Sequence, residues 1–128
     1  MTVAFWCVLI VILLPIVCAG IAKYSGGKFS GRQNHNPRDF LDQLEGLPRR
    51  AHAAQQNSFE AIPGFAAAVI IAHVAGGAQL VTIDVLAVLF VTSRLLYIIF
   101  YLADLAALRS AVWLIGMGLV IALFGVSV

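Results

Sequence analysis

A chain of 128 residues that is 62% hydrophobic and only 11% charged, with a mean hydropathy of +0.98, is too apolar for a soluble domain of its size and reads as an integral membrane protein. Its formal net charge of +2 gives no electrostatic case for nucleic acid as a partner. The length allows one small helical domain with no soluble domain beside it, a kind of bundle that often needs partner subunits to enclose a site.

The first apolar run, Val3 to Ala22, holds twenty residues without a charge and is interrupted only by Pro15. That length crosses a hydrocarbon core of about 30 Å at 1.5 Å per residue. No basic residue precedes it and it exceeds an ordinary signal-peptide core, so a retained helix is expected. Cys7 and Cys18 lie eleven residues apart in it, about 16 Å along one helix, too far to pair with each other. They are expected to be packing residues.

From Lys23 to Pro48 the chain turns polar and glycine-rich and reads as a loop with a short amphipathic turn at Phe40 to Leu44. Lys23, Lys28, Arg32, Arg38, Arg49 and Arg50 fall on this side, while the connection from Val74 to Gln79 carries no basic residue. The positive-inside rule then places the large loop in the cytoplasm and both termini outside.

A second helix is expected over 49–74. Its opening stretch, RRAHAAQQNSFEAIPGF, carries a polar stripe into an apolar segment. At about 100° per residue Arg49, His52, Gln56 and Glu60 fall along one line, and Arg50 and Asn57 along the line beside it. Pro63 crowds the carbonyl of Phe59, which predicts a kink beside Glu60. His73 reads as an interfacial residue, and without a second His or Cys at ligand spacing no metal site is expected.

The third helix is expected over 80–102, with Arg94, Tyr97, Tyr101 and Asp104 at steps that keep all four on one face. Asp84 is expected near the outer interface, where the dipole at the start of its own helix favours a carboxylate. Arg94 and Glu60 reach similar depths from the loop side, and an unpaired charge at such depth costs roughly 2.5 to 3.5 kcal/mol. An ion pair between them is therefore predicted. The last helix, 109–126, opens on Arg109 and Ser110, read on the residues alone as evenly a topogenic arginine with a neighbouring cap or a functional pair. Gly116, Met117, Gly118 and Ala122 suggest close helix packing. The fold class is all-α, a four-transmembrane-helix bundle forming one integral membrane domain over 1–128. No repeat, Walker loop, nucleophile elbow or CxxC occurs in the sequence.

In order and spacing these features resemble the MAPEG family, the membrane-associated proteins of eicosanoid and glutathione metabolism, over nearly the whole chain. They are a large basic loop after the first helix, RRAH then NxxE and a proline in the second, RxxYxxxY in the third, and an RS pair opening the fourth. The chain looks like a divergent member of bacterial type. The resemblance implies a homotrimer in the lipid bilayer that binds glutathione as cofactor between neighbouring subunits near the cytoplasmic side. It also implies that the glutathione thiol meets a lipophilic small-molecule substrate arriving from the bilayer.

Matched by position, Asn57 and Glu60 take the place of the NxxE, Tyr101 that of the tyrosine seven after the helix-three arginine, and Arg109 with Ser110 that of the helix-four pair. Arg32 takes the place of the first-helix arginine, with Lys23 as competitor. On this resemblance Arg109 and Ser110 are the catalytic candidates, stabilising a thiolate. Arg32, Arg50, His52, Gln56, Asn57, Glu60, Arg94, Tyr97 and Tyr101 are the cofactor-binding candidates. The chain departs from the RAHxNxxE of glutathione-using members, because Ala53 and Gln56 stand where an arginine is expected and Arg50 lies one turn further out. The implied function is a glutathione-dependent transferase or peroxidase acting on lipophilic electrophiles. The alternatives are a non-catalytic relative that binds a lipid or small anion, and a small proton-coupled transporter using a buried carboxylate.

Overall fold

The computed structural model describes residues 1–26 and 29–128, so the expected loop cation Lys28 lies outside the described residues. The helices are α1 (Val3–Tyr24), α2 (Pro37–Asp42), α3 (Gly46–Ala75), α4 (Leu80–Leu102) and α5 (Ala106–Gly125), with a 3-10 turn at Gln33–His35 before α2. The helices α1, α3, α4 and α5 are each long and apolar enough to cross a membrane. The protein is a multi-pass integral membrane protein, an all-α bundle of four spans.

The spans meet through small residues. On α3, Ala68 and Ala72 are fully buried, and with Phe65 and Val69 they pack against Ala4, Cys7 and Val11 of α1 and Ile83, Ala87 and Phe90 of α4. Small side chains let helix backbones approach closely, which supplies dispersion contact where lipid offers no hydrophobic drive between helices. A second cluster joins Leu14 and Cys18 of α1 to Ala54 of α3 and to Tyr97 and Ile98 of α4. Both cysteines are free and buried. Outward, Trp6, Leu13, Ile16, Val81, Leu114 and Ile121 are exposed, which suits a lipid-facing surface. The span α5 is the least enclosed, and its buried residues are Gly116 and Leu123.

The loop side carries more helix than its composition suggests. The expected turn at Phe40 is part of α2, which seats Leu41 against Ala22 and Ala51. The span α3 begins at Gly46, ahead of Pro48. Proline is tolerated in a first turn, where its missing N–H has no partner to lose. Gly46 has φ 63°, a left-handed backbone that suits a residue without Cβ. Through Pro63 the helix runs on to Ala75 without interruption.

Asp104 does not share the face of Arg94, Tyr97 and Tyr101, because α4 stops at Leu102 and Asp104 turns left-handed at φ 60°. The Leu105 N–H donates to the Phe100 carbonyl at 2.9 Å and the Asp104 N–H to the Tyr101 carbonyl at 3.1 Å. This is the double-bonded helix stop that glycine usually makes, built here on an aspartate, one of the few other residues that tolerate the conformation.

At the opposite end Asp84 serves another helix than the one expected. Its carboxylate accepts the Ala4 N–H at 2.7 Å, so it satisfies a free donor in the first turn of α1 and not the start of α4. His73 donates from Nδ1 to the Val69 carbonyl at 2.7 Å, which leaves Nε2 to accept the Thr2 hydroxyl at 2.8 Å. The Phe5 ring lies 4.3 Å from the imidazole, centroid to centroid. In the same region Gly77 sits so close to the C-terminus that a Cβ would meet the Ser127 carbonyl oxygen at 2.8 Å.

Candidate functional site

On the loop side of the bundle, α3, α4 and α5 leave a cleft with a polar and an apolar part. Arg94 is 4% exposed. Its Nη2 donates to Asn57 Oδ1 at 2.9 Å, and Asn57 Nδ2 donates to Glu60 Oε2 at 3.2 Å. The predicted Glu60–Arg94 ion pair is therefore corrected to a relay through Asn57. The two residues reach similar depths along their helices, but Glu60 is exposed at the rim of the cleft while Arg94 is buried in the bundle. Arg94 Nε is the one buried side-chain nitrogen or oxygen among the described residues that has no hydrogen-bond partner.

Such an enclosed donor costs about 1 to 3 kcal/mol if it stays unmatched. Part of the cation's desolvation is offset by the Tyr97 ring, 4.3 Å from the guanidinium carbon, through attraction to the aromatic face. The ladder continues along the cleft. Tyr97 meets Tyr101 edge-on at 5.6 Å, and the Arg109 guanidinium lies 4.2 Å over the Tyr101 ring. Because α4 runs toward the loop and α5 runs back from it, Tyr101 and Arg109 are brought together across the turn at Asp104.

Two connected hollows share Asn57 and Trp113. One is bounded by Tyr97, Tyr101, Arg109, Ser110 and Leu114. The other, about 580 Å³ of open space, is bounded by Glu60, Arg94 and a set of apolar residues from α3, α4 and α5. Of the positions singled out in the sequence, Asn57, Glu60, Arg94, Tyr97, Tyr101, Arg109 and Ser110 thus stand around one cleft. Of the two readings of Ser110, the cap is excluded, since α5 begins at Ala106 and the Ser110 hydroxyl sits in the second turn.

The remaining positions lie elsewhere. His52 and Gln56 border a separate hollow beside α2 with Arg38 and Asp42. There Gln56 Nε2 donates to His52 Nε2 at 3.3 Å and His52 Nδ1 donates to Gln55 Oε1 at 3.2 Å. The stripe from Arg49 to Glu60 is divided between two sides of α3. Arg50 Nε donates to the Leu102 carbonyl at 3.2 Å, where a cation suits the end of α4. Arg50 and Arg32 border neither part of the cleft, and Arg32 is exposed. Trp113, shared by both hollows, was not singled out in the sequence. It stands four residues after Arg109, one helical turn along the same face, and that spacing was the available signal.

The fold and the cleft define a class, a four-span helical membrane protein with a cationic, tyrosine-lined recess between its last three spans. The chain belongs to the MAPEG family, whose family model matches residues 3–128. No curated protein and no solved structure matches it.

Proposed function

We propose that the cleft binds glutathione and that the protein is a glutathione-dependent transferase or peroxidase for lipophilic electrophiles. The observation that carries this reading is the buried Arg94, hydrogen-bonded to Asn57 with its Nε unmatched, beside a cleft whose loop end holds Arg109 and Ser110. The donor set fits the ligand's charges in part. Arg94 suits a carboxylate, Glu60 an ammonium, and Arg109 with Ser110 a thiolate. Bound there, glutathione would supply the sulfur nucleophile. The chain's own contribution is to hold negative charge at that end of the cleft, with the Arg109 cation fixed over Tyr101 and the Ser110 hydroxyl on the next residue.

Closure of the cleft by a neighbouring subunit in a homotrimer accompanies this reading, supported by the exposed outer surface of α5. So does a cytoplasmic loop side with both termini outside, supported by the loop cations. The lipophilic substrate would enter from the bilayer.

A second reading, a non-catalytic relative that binds a small anion or lipid, is favoured by one specific observation. Glutathione has a second carboxylate, and Arg50 of α3 is committed to the Leu102 carbonyl. The deciding experiment is titration of the purified protein with glutathione, read by thiolate absorbance at a pH where free glutathione is protonated. The absorbance should appear and should vanish in Arg109→Ala. Absence of binding at millimolar glutathione would leave the second reading as the better account.

A further inference from the structure

A further hollow on the loop side shares no residue with the cleft. It is bounded by Ala22 and Lys23 at the end of α1, by Phe40 and Gln43 in and just after α2, and by Glu45 and Pro48 at the start of α3. Its open space of about 1020 Å³ leaves room for a lipid headgroup. Two of its walls carry opposite charge. Among the described residues the one ion contact between a basic and an acidic side chain is His52 with Asp42, at 3.9 Å, so Lys23 and Glu45 border the same hollow without pairing across it. The Lys23 ammonium lies 4.8 Å over the Phe29 ring, and the Glu45 side chain makes no capping hydrogen bond to α3.

The hollow stands at the depth of lipid headgroups. With 22 residues, α1 is roughly 33 Å long, close to a hydrocarbon core of about 30 Å, and Lys23 is in its last turn. Tyr24, Phe29 and Phe40 meet edge-on there, at 5.7 and 5.2 Å, and aromatic rings gather at such interfaces. Below Lys23, the residues Gly20, Ile16 and Leu13 follow at steps of three, four and three along one face of α1. Ile16 and Leu13 are exposed, and a Cβ on Gly20 would meet nothing within 4 Å. An open apolar track therefore leads from the hollow toward the bilayer centre.

We propose that this hollow docks one phospholipid whose headgroup carries both a phosphate and an ammonium, the phosphate on Lys23, the ammonium on Glu45 and the acyl chains along the outer face of α1. Unlike charges kept apart on two walls complement a zwitterion whose own charges are held apart by a short linker. A headgroup with phosphate alone gains one partner and meets Glu45 as a repulsive neighbour. Phe40 adds an aromatic wall, a surface that favours an ammonium. None of this depends on the glutathione reading.

The test is native mass spectrometry of the full-length protein in a mild neutral detergent, titrated with dioleoyl phosphatidylethanolamine or dioleoyl phosphatidylglycerol, which differ in the ammonium. The first phosphatidylethanolamine per chain should bind more tightly than the first phosphatidylglycerol. Glu45→Gln should weaken phosphatidylethanolamine about fivefold, the range of one exposed ion pair, and should leave phosphatidylglycerol unchanged or tighter. Lys23→Gln should weaken both lipids. Asp39→Asn, which removes an exposed carboxylate outside the hollow, should alter neither. If Lys23→Gln fails to insert, because loop cations guide topology, Glu45→Gln carries the test alone.

Unchanged phosphatidylethanolamine binding in Glu45→Gln is what lipid held loosely around the bundle would give, and it would overturn the site. Equal loss of both lipids in that variant would remove the assignment of the ammonium to Glu45. Displacement of phosphatidylethanolamine by millimolar glutathione would give the hollow to that ligand and overturn the proposal from the other side.

Discussion

At the end of the bundle where the chain begins, Thr2, His73 and Asp84 have hydrogen-bond partners within the chain, the Val69 carbonyl and the Ala4 N–H among them. At the loop end Arg94 is more deeply buried than any of these and yet keeps one N–H without a partner, beside an open cleft. In hydrocarbon an unmatched polar group is costly, so the first arrangement is what stability alone favours. The second departs from it in the direction of binding something, as sites that sacrifice stability for function do.

That contrast can be broken most sharply at Arg94. Replacing it with methionine should cost about 2 to 5 kcal/mol of glutathione affinity by calorimetry, while resistance to denaturant should hold or rise, because a buried charge is exchanged for an apolar chain of similar length. Lower stability with unchanged binding would put Arg94 in the same class as Asp84. The complementary change, Asp84→Ala, should lower the unfolding free energy by about 1 to 2 kcal/mol through loss of the partner at the start of α1. Ligand titrations should not register it.

A finer test separates the relay from a direct pair. In double-mutant cycles on unfolding, Arg94 and Asn57 should couple by about 1 kcal/mol, and Arg94 and Glu60 by clearly less. Equal couplings would restore the direct ion pair. Smallest of all, Thr2→Val should lower stability by about 0.5 kcal/mol, the low end for one hydrogen bond, measured by the same denaturation. A change in glutathione binding in that variant would blur the division between the two ends.

The four spans are legible because an apolar run of about twenty residues matches the thickness of a bilayer's hydrocarbon core. The face of α4 with Arg94, Tyr97 and Tyr101 is legible from steps of three and four. What fails is azimuth. Depth along a helix says how far Glu60 and Arg94 lie from the loop, but not that Asn57 stands between them. The partner of Asp84 is hidden for a related reason, since residues far apart in sequence, such as Ala4, cannot be paired by counting along one helix. Pro48 misleads differently. In the sequence it reads as the end of a loop, whereas in a first turn it is compatible with the helix already begun at Gly46. Trp113 carries no signal as a single residue, and only its four-residue step from Arg109 on one helical face points to it.

The turn at Asp104 sets a phase as well as ending a helix. Each residue added to or removed from a helical path rotates everything after it by about 100°. The turn from Ala103 to Leu105 is locked by bonds to Phe100 and Tyr101, so the helical residues Ala106 to Leu108 that follow it decide the side of α5 on which Arg109 lies. With this count Arg109 comes to rest over the ring of Tyr101. With one residue fewer, the same arginine, unaltered in chemistry, would point a quarter-turn away, and the cleft would lose a cation without any site residue having been substituted.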